Sequence, residues 1–359
     1  MNMRDGIKVL VTGANGQVGH ELLRALGDIA RDPDPHPAPR AKEKDGVSRP
    51  FSRREKETVV NPSPVGRGVG VRVRDREIIA ATRSGRLEDG AACEAIDLAD
   101  FDGLTRALDR VAPDVIINAA AYTAVDRAED EAEAAMRING EALGVLGAWA
   151  QRHDARVVHY STDYVFDGRA TAPYREGDAT HPVSVYGRTK LAGEGALRDN
   201  GARYLIFRTA WVYAARGHNF MRTMLRLGAE RDQLCVVDDQ VGAPTPARLV
   251  ADVTAQSVEQ WTQDETATRD GVYHLVATGR VSWCGFAGAI FERAQRAGLL
   301  DRVPSVAAIR TADYPTKATR PAFSVLDTTK LRGAFGIALP NWQAALDGVI
   351  DELRPGPTA

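Results

Sequence analysis

The chain has 359 residues, 44% of them hydrophobic, and a near-balance of 46 Lys+Arg against 48 Asp+Glu. That is enough chain for one large or two ordinary domains with an ample core, in an ordinary globular composition, and the balance argues against charge-driven capture of nucleic acid. No uncharged stretch reaches the roughly 18 apolar residues of a membrane span, the apolar start is too short for a signal-peptide core, and three scattered cysteines (Cys93, Cys235, Cys284) make neither a disulfide framework nor a zinc site, so a cytoplasmic enzyme without membrane partners is expected.

In chain order, Lys8–Val11 reads as a short buried strand and Gln17–Leu26 as the helix after it. Residues 31–76 then break the pattern: they hold seven of the 18 prolines and, with 12 Lys+Arg and 7 Asp+Glu, a local net charge of +5 that leaves −7 elsewhere. A segment so poor in apolar residues cannot offset its ordering entropy, and it reads as a disordered surface insertion. Its basic run Ser52–Lys56 is a solvated stretch, with a nucleic-acid or partner contact as the alternative. Beyond it, strands are expected at Glu77–Ala81, Asp114–Asn118, Arg156–Tyr160 and Tyr204–Arg208. Helices are expected at Asp102–Arg110, over a long run Glu131–Ala150, and within Pro182–Leu197. Continuous apolar strands alternating with helices give an α/β fold, a doubly wound parallel sheet covered on both faces. After about residue 213 the pattern loosens into turns such as Val241–Pro246, which reads as a smaller C-terminal substrate-binding lobe. The expected division is a dinucleotide-binding domain over 1–213 and a lobe over 214–359, with room for segments that return to the first domain.

Gly13, Gly16 and Gly19 lie between the first strand and the first helix. They allow a tight turn, a close backbone approach to a pyrophosphate, and close helix packing, with the anion on the helix N-terminus. Asp97–Leu98 offers an adenine-edge contact or a helix N-cap, and Ala119, Ala120 and Ala121 after Asn118 either clear room for a cofactor or pack a core. Ser161-Thr162-Asp163 ends the strand Arg156–Tyr160, and Tyr186 and Lys190 sit four apart on a helix face. An ammonium beside a phenol lowers the phenol's pKa, tuning Tyr186 to exchange a proton with a carbonyl or alcohol oxygen that Thr162 also holds. His159 and His181 read as structural, because no second His or Cys stands at ligand spacing.

These segments, with NAAAYTAVDRAE (118–129), FRTAWVY (207–213), DDQVGAPT (238–245) and RPAFSVLDTTKL (320–331), resemble the extended short-chain dehydrogenases/reductases, and within them the dTDP-4-dehydrorhamnose reductase family. The resemblance implies Tyr186 as catalytic acid, Lys190 as its lysine and Thr162 as the stabilising hydroxyl. It implies a dinucleotide lined by Gly16, Gln17, Val18, Asp97, Leu98, Ala121, Tyr122 and Thr123, with Tyr186 and Lys190 beside it. The residues themselves add Gly13 and Gly19 of the loop, Ala119 and Ala120, and the strand end Thr82-Arg83, where no acid stands before Glu88 and Arg83 offers a cation to a 2′-phosphate. A nucleotide sugar would meet Thr123, Val125, Thr162, Asp163, Tyr186 and Trp211, with Arg320 either on the diphosphate or in a surface ion pair. The reaction implied is reduction of the C4 ketone of dTDP-4-dehydro-L-rhamnose by NADPH, with NADH accepted by many relatives. Tyr164 stands where related dehydratases carry an acid, which disfavours water elimination. Some relatives hold magnesium near a dimer contact; Glu21 matches one ligand, but Arg248 stands where another carboxylate is expected, so no metal is assigned. A homodimer is left open. The alternatives are another reductase or epimerase of sugar nucleotides, or a non-catalytic dinucleotide-binding subunit like those that regulate methionine adenosyltransferase, which need not keep an intact Thr162/Tyr186/Lys190 set.

Overall fold

A computed structural model describes residues 6–31, 75–264, 266 and 269–354. The expected insertion falls almost wholly outside the described residues. The chain runs β1 (Gly6–Thr12), α1 (Gln17–Arg31), β2 (Asp75–Thr82), β3 (Glu94–Ala95), α2 (Phe101–Val111), β4 (Val115–Asn118), α3 (Val125–Ala128) and α4 (Ala132–Met136). A π-helical turn, Arg137–Glu141, leads into α5 (Ala142–Arg152), then β5 (Arg156–Thr162), a 3₁₀ turn (Asp163–Val165), α6 (Val185–Asp199), β6 (Arg203–Thr209) and β7 (Val212–Tyr213). There follow α7 (Phe220–Glu230), β8 (Gln233–Val237), β9 (Val241–Gly242), β10 (Thr245–Pro246), α8 (Ala247–Thr262) and β11 (Gly271–His274). The last elements are β12 (Val281–Ser282), α9 (Trp283–Arg296), β13 (Ser305–Ile309), α10 (Thr329–Phe335) and α11 (Trp342–Glu352).

Seven strands form one parallel sheet in the order β11-β6-β5-β4-β1-β2-β3. The order reverses between β1 and β4, the point at which such sheets open a crevice beyond the strand ends. Because both faces are covered, the strands are nearly all apolar: Val115–Asn118 and Val157–Thr162 are buried throughout. One core layer sets Val9, Val11, Leu22 and Leu26 against Val250, Val258 and Trp261 of α8, while the other packs Leu104, Leu108, Leu143, Leu146 and Trp149 on the opposite face. A separate cluster around Met221, Phe286, Phe291, Trp342 and Leu346 is built wholly after residue 212. The late chain also serves the large sheet, since β11 is its edge strand and α8 covers α1.

Two differences from the sequence reading have physical causes. The first helix continues five residues beyond Leu26, to Arg31. The long helix expected at Glu131–Ala150 is interrupted by the π turn, whose extra residue brings Asn139 onto the loop after β4. There Asn139 accepts from the Tyr122 backbone N–H at 2.9 Å and donates to the Tyr122 carbonyl at 3.0 Å.

Candidate active site

The glycine loop shapes the first half of the site. Gly13 has φ +68°, and a Cβ there would lie 2.7 Å from the Ala120 nitrogen, so β1 and β4 meet only because residue 13 is glycine. A Cβ on Gly19 would stand 2.1 Å from the Gly13 carbonyl, which fixes how closely α1 approaches the loop. The first N–H of α1 bonded within the helix pattern is that of His20, to Gly16 at 2.9 Å, so the N–H groups of Gln17, Val18 and Gly19 lead the helix at its positive end. That cradle fits a dinucleotide diphosphate. Gln17 also touches the later chain: Asn219 donates to its Oε1 at 2.9 Å, so the 214–219 loop meets the glycine loop.

Thr82 and Arg83 end β2 beside this loop, with the Ala14 N–H donating to the Ala81 carbonyl at 3.1 Å. The Arg83 side chain is exposed, and the nearby acid, Glu88, is ion-paired with Arg216. Asp97 is exposed with its carboxylate on the Ala99 N–H at 2.9 Å; Asp100, not Asp97, is the N-cap of α2; Leu98 is buried in the core.

Thr162, Asp163, Tyr186 and Lys190 converge at the carboxyl end of β5. Ser184 caps α6 by accepting from the Gly187 N–H at 3.1 Å, and Glu129 accepts from the Val185 N–H at 2.8 Å. Gly187 lies against the 3₁₀ turn, where a Cβ would be 2.2 Å from the Tyr164 carbonyl. This contact presses the start of α6 onto the residues after Thr162, and the rings of Tyr164 and Tyr186 meet edge to face at 5.9 Å. Thr162 Oγ1 donates to Asp163 Oδ1 at 3.0 Å and accepts from the Tyr164 N–H at 3.2 Å, and it lies close enough to Tyr186 to influence its phenol. Burial raises the Asp163 carboxyl to about 6, although Ser324 and Thr162 hydroxyls oppose the shift.

Burial, then the Asp163 charge, push the Tyr186 phenol up to about 12, with Thr162 lowering it. The Lys190 Nζ turns to His159 Nε2 at 3.1 Å, and its own pKa falls to about 7 by burial despite Glu194. His159 is thus more than a packed ring, and its contact was invisible at the level of motif spacing.

Other expected residues take varied places. Tyr122 hydrogen-bonds Glu131 through its hydroxyl at 2.6 Å, Thr123 is exposed, and Val125 starts α3 half-buried. Arg320 is engaged by Asp126, with contacts of 2.8 and 3.2 Å, which is the ion-pair alternative of the sequence reading. Trp211 packs at the margin of the cluster around Val165, Phe166 and Ala210. It is half-buried, has φ +48° and stacks on Trp283 with ring centroids 3.5 Å apart. A non-glycine residue in that conformation is strained, and such strain concentrates at functional positions.

The magnesium donors do not fit an ion. Glu21 lies between Arg24 at 3.1 Å and Arg248 at 3.6 Å, and Arg248 also pairs with Asp252 at 2.9 Å. Guanidinium groups occupy the neighbourhood that a hard cation needs lined by oxygens.

The parallel sheet, glycine loop and Thr–Tyr–Lys arrangement define a fold and site of the short-chain dehydrogenase/reductase type. A family model described as the RmlD substrate binding domain matches residues 68–354. The dTDP-4-dehydrorhamnose reductase of Salmonella typhimurium is 45% identical over 97% of this chain and 98% of its own length. That of Burkholderia thailandensis is 41% identical over 97% and 99%. Among solved structures, a dTDP-4-dehydrorhamnose reductase from Clostridium acetobutylicum aligns with a TM-score of 0.75 at 31% identity, covering 97% of this chain and all of that one. Another, from Bacillus anthracis in complex with NADP, aligns at 0.73 and 27% identity over 97% and 99%. The chain belongs to the dTDP-4-dehydrorhamnose reductase family. Among the described residues no helix is long and apolar enough to cross a membrane.

Proposed function

We propose that this protein reduces the C4 ketone of dTDP-4-dehydro-L-rhamnose to dTDP-L-rhamnose with NADPH. The observation that carries the reading is the placement of Tyr186 and Lys190 of α6 against the end of β5, where Thr162 and Tyr164 lie, with burial keeping the Tyr186 phenol protonated near neutral pH. A reductase needs a proton donor at the developing alkoxide, and a phenol kept at about 12 is in the donor form when the reaction begins. Thr162 holds the same oxygen and Lys190 takes the ribose side of the cleft. When bound, the nicotinamide supplies the hydride. Tyr164 offers no carboxylate for water elimination, and the intact Thr162/Tyr186/Lys190 set favours an enzyme over a regulatory subunit.

NADPH is preferred over NADH in this reading because Arg83 follows β2 where NAD-selective folds place an acid, and Glu88 is taken by Arg216. A charge-assisted hydrogen bond to a 2′-phosphate is worth about 1.5–3 kcal/mol. Arg83→Ala should therefore cut kcat/KM for NADPH about 10- to 100-fold and leave that for NADH nearly unchanged. Equal loss with both cofactors would reject the assignment. A cytoplasmic location belongs to the same reading, supported by three free cysteines, and a homodimer by the family resemblance. The direct test is purified protein with the 4-keto nucleotide sugar, following NADPH absorbance; absence of turnover overturns the function.

A further inference from the structure

A lysine wholly enclosed by protein needs a partner for its N–H groups, and the partner here is neither a carboxylate nor a backbone carbonyl. Lys190 Nζ lies 3.1 Å from His159 Nε2, and both residues are at most 2% exposed. On the far side of the ring, His159 Nδ1 lies 3.2 Å from Asn118 Nδ2, and the Asn118 backbone carbonyl is near enough to favour a proton on the ring. Asn118 Oδ1 in turn accepts from Thr12 Oγ1 at 2.6 Å. The chain Lys190–His159–Asn118–Thr12 crosses β5, β4 and β1 and ends at the residue before Gly13. It links the catalytic lysine to the foot of the glycine loop.

We propose that His159 is a positioning residue for Lys190, holding its amino group towards the cofactor ribose through a hydrogen-bond chain that serves both the ammonium and the amine. This rests on the reductase reading above. As ammonium, Lys190 donates to Nε2, and the ring proton on Nδ1 goes to the Asn118 backbone carbonyl. As amine, Lys190 accepts from Nε2–H, while Nδ1 accepts from the Asn118 side-chain amide. An imidazole and a carboxamide make this exchange because each presents a donor and an acceptor. An apolar residue at 159 would leave the ammonium without an acceptor in a dry site, and a carboxylate would lock the lysine in its charged form and offer the amine no donor.

The other groups around Lys190 leave this role to His159. Glu194, one turn on along α6, is committed to Arg208 of β6 at 2.7 and 2.9 Å and to Ser161 at 2.5 Å. Asp163, after β5, faces Thr162, Ser324 and Tyr186. Tyr186 faces Thr162. Thr12 and Asn118 are uncharged. His159 itself stays neutral, because burial and the Lys190 charge both oppose its protonation.

The test compares wild type with His159→Leu and His159→Gln, whose side-chain carbonyl can accept from Lys190. The readouts are kcat against pH with the 4-keto nucleotide sugar and, separately, NADPH affinity against pH by fluorescence. The ammonium loses a charge-assisted bond and the amine only a neutral one, so the lysine pKa falls and in His159→Leu the alkaline fall in NADPH affinity should begin about one pH unit lower. Its kcat should drop about tenfold or more while KM for the sugar stays within about threefold. His159→Gln should restore both. A folded Leu variant with an unmoved pH profile, or a Gln variant no better than Leu, overturns the proposal. If His159→Leu does not fold, His159→Asn, polar but too short to reach Nζ, should show the same lowered alkaline limb and reduced kcat, and a wild-type profile in it overturns the proposal equally. A wild type that binds NADPH but does not turn over the sugar defeats the reductase reading instead, and the NADPH-affinity profile still decides the role of His159.

Discussion

Two buried polar clusters hang from the same strand and helix, and they are built on opposite plans. Glu194 on α6 and Arg208 on β6 form a two-contact ion pair, at most 5% exposed, and Ser161 of β5 closes it. Charge meets charge there, within the protein interior. Lys190 and Tyr186, one and two turns earlier on α6, and Thr162 and Asp163, directly after Ser161, form a cluster with no ion pair of its own among the described residues. Burial dominates each of its three titrations: Asp163 and Tyr186 are pushed up, and Lys190 is pushed down. The comparison shows how to separate a scaffold network from a chemical one when both are buried. The first is charge-balanced within itself, whereas the second leaves its imbalance for something that enters the cleft.

The most severe way to break the comparison is Tyr186→Phe. Removing the phenol hydroxyl should lower kcat by about 10²–10⁴-fold with NADPH affinity nearly intact. Near wild-type turnover would mean that the open cluster is not the chemical one. On the closed side, Arg208→Met should leave NADPH affinity within about threefold but destabilise the fold by about 3–5 kcal/mol, because Glu194 stays behind as an unpaired buried charge. Urea denaturation measures this, and the double replacement Glu194→Leu/Arg208→Met should recover much of the loss. An Arg208→Met protein as stable as wild type would contradict the assignment of that cluster to the scaffold.

Much of the open cluster was legible in the sequence, and almost none of the closed one. Gly13-x-x-Gly16-x-x-Gly19 and the Tyr186/Lys190 spacing are local: a turn and one helical face decide them, so reading along the chain finds them. The sheet was equally legible, because strands buried on both faces leave runs such as Asp114–Asn118. What escaped depends on strand order. His159 reads as structural in sequence, and only the adjacency of β1, β4 and β5 places it between Asn118 and Lys190. Asn139 escapes because a π turn leaves no mark in an apolar pattern that fits a continuous helix. Trp211 is placed at the sugar by resemblance alone; its stacking on Trp283 joins residues 72 positions apart in the sequence.

A smaller effect sharpens the comparison through pH. Asp163 has a folded pKa of about 6, above its ordinary value of 3.8. The folded state therefore holds this proton more tightly than the unfolded chain, so stability is highest below the ordinary value and is lost as pH rises from about 4 to about 6. The full cost above that window is about 3 kcal/mol. Asp163→Asn should escape it, so its advantage in melting temperature over wild type should grow between pH 4 and pH 7. A difference that stays flat across that range would show that Asp163 is not strained by burial.

A third cluster, around Glu21, should respond to metal removal not at all. Glu21 on α1 is only 4% exposed, an unusual position for a carboxylate, and its counter-charges come from the chain: Arg24 one turn on, and Arg248 at the start of α8, itself shared with Asp252. Asp252 and Glu352 stand near the same group and their carboxyls are raised, mainly by burial. A magnesium ion would have to displace guanidinium groups while finding several oxygen ligands, and its dehydration is already reluctant. No group of three or more acids, histidines or cysteines suited to a metal occurs among the described residues. Exhaustive treatment with EDTA should therefore leave kcat/KM within about twofold of the untreated enzyme, and magnesium should add nothing. Loss of most activity in EDTA, recovered on adding magnesium alone, would show that the arginines do not take the cation's place and that this cluster belongs with the open one.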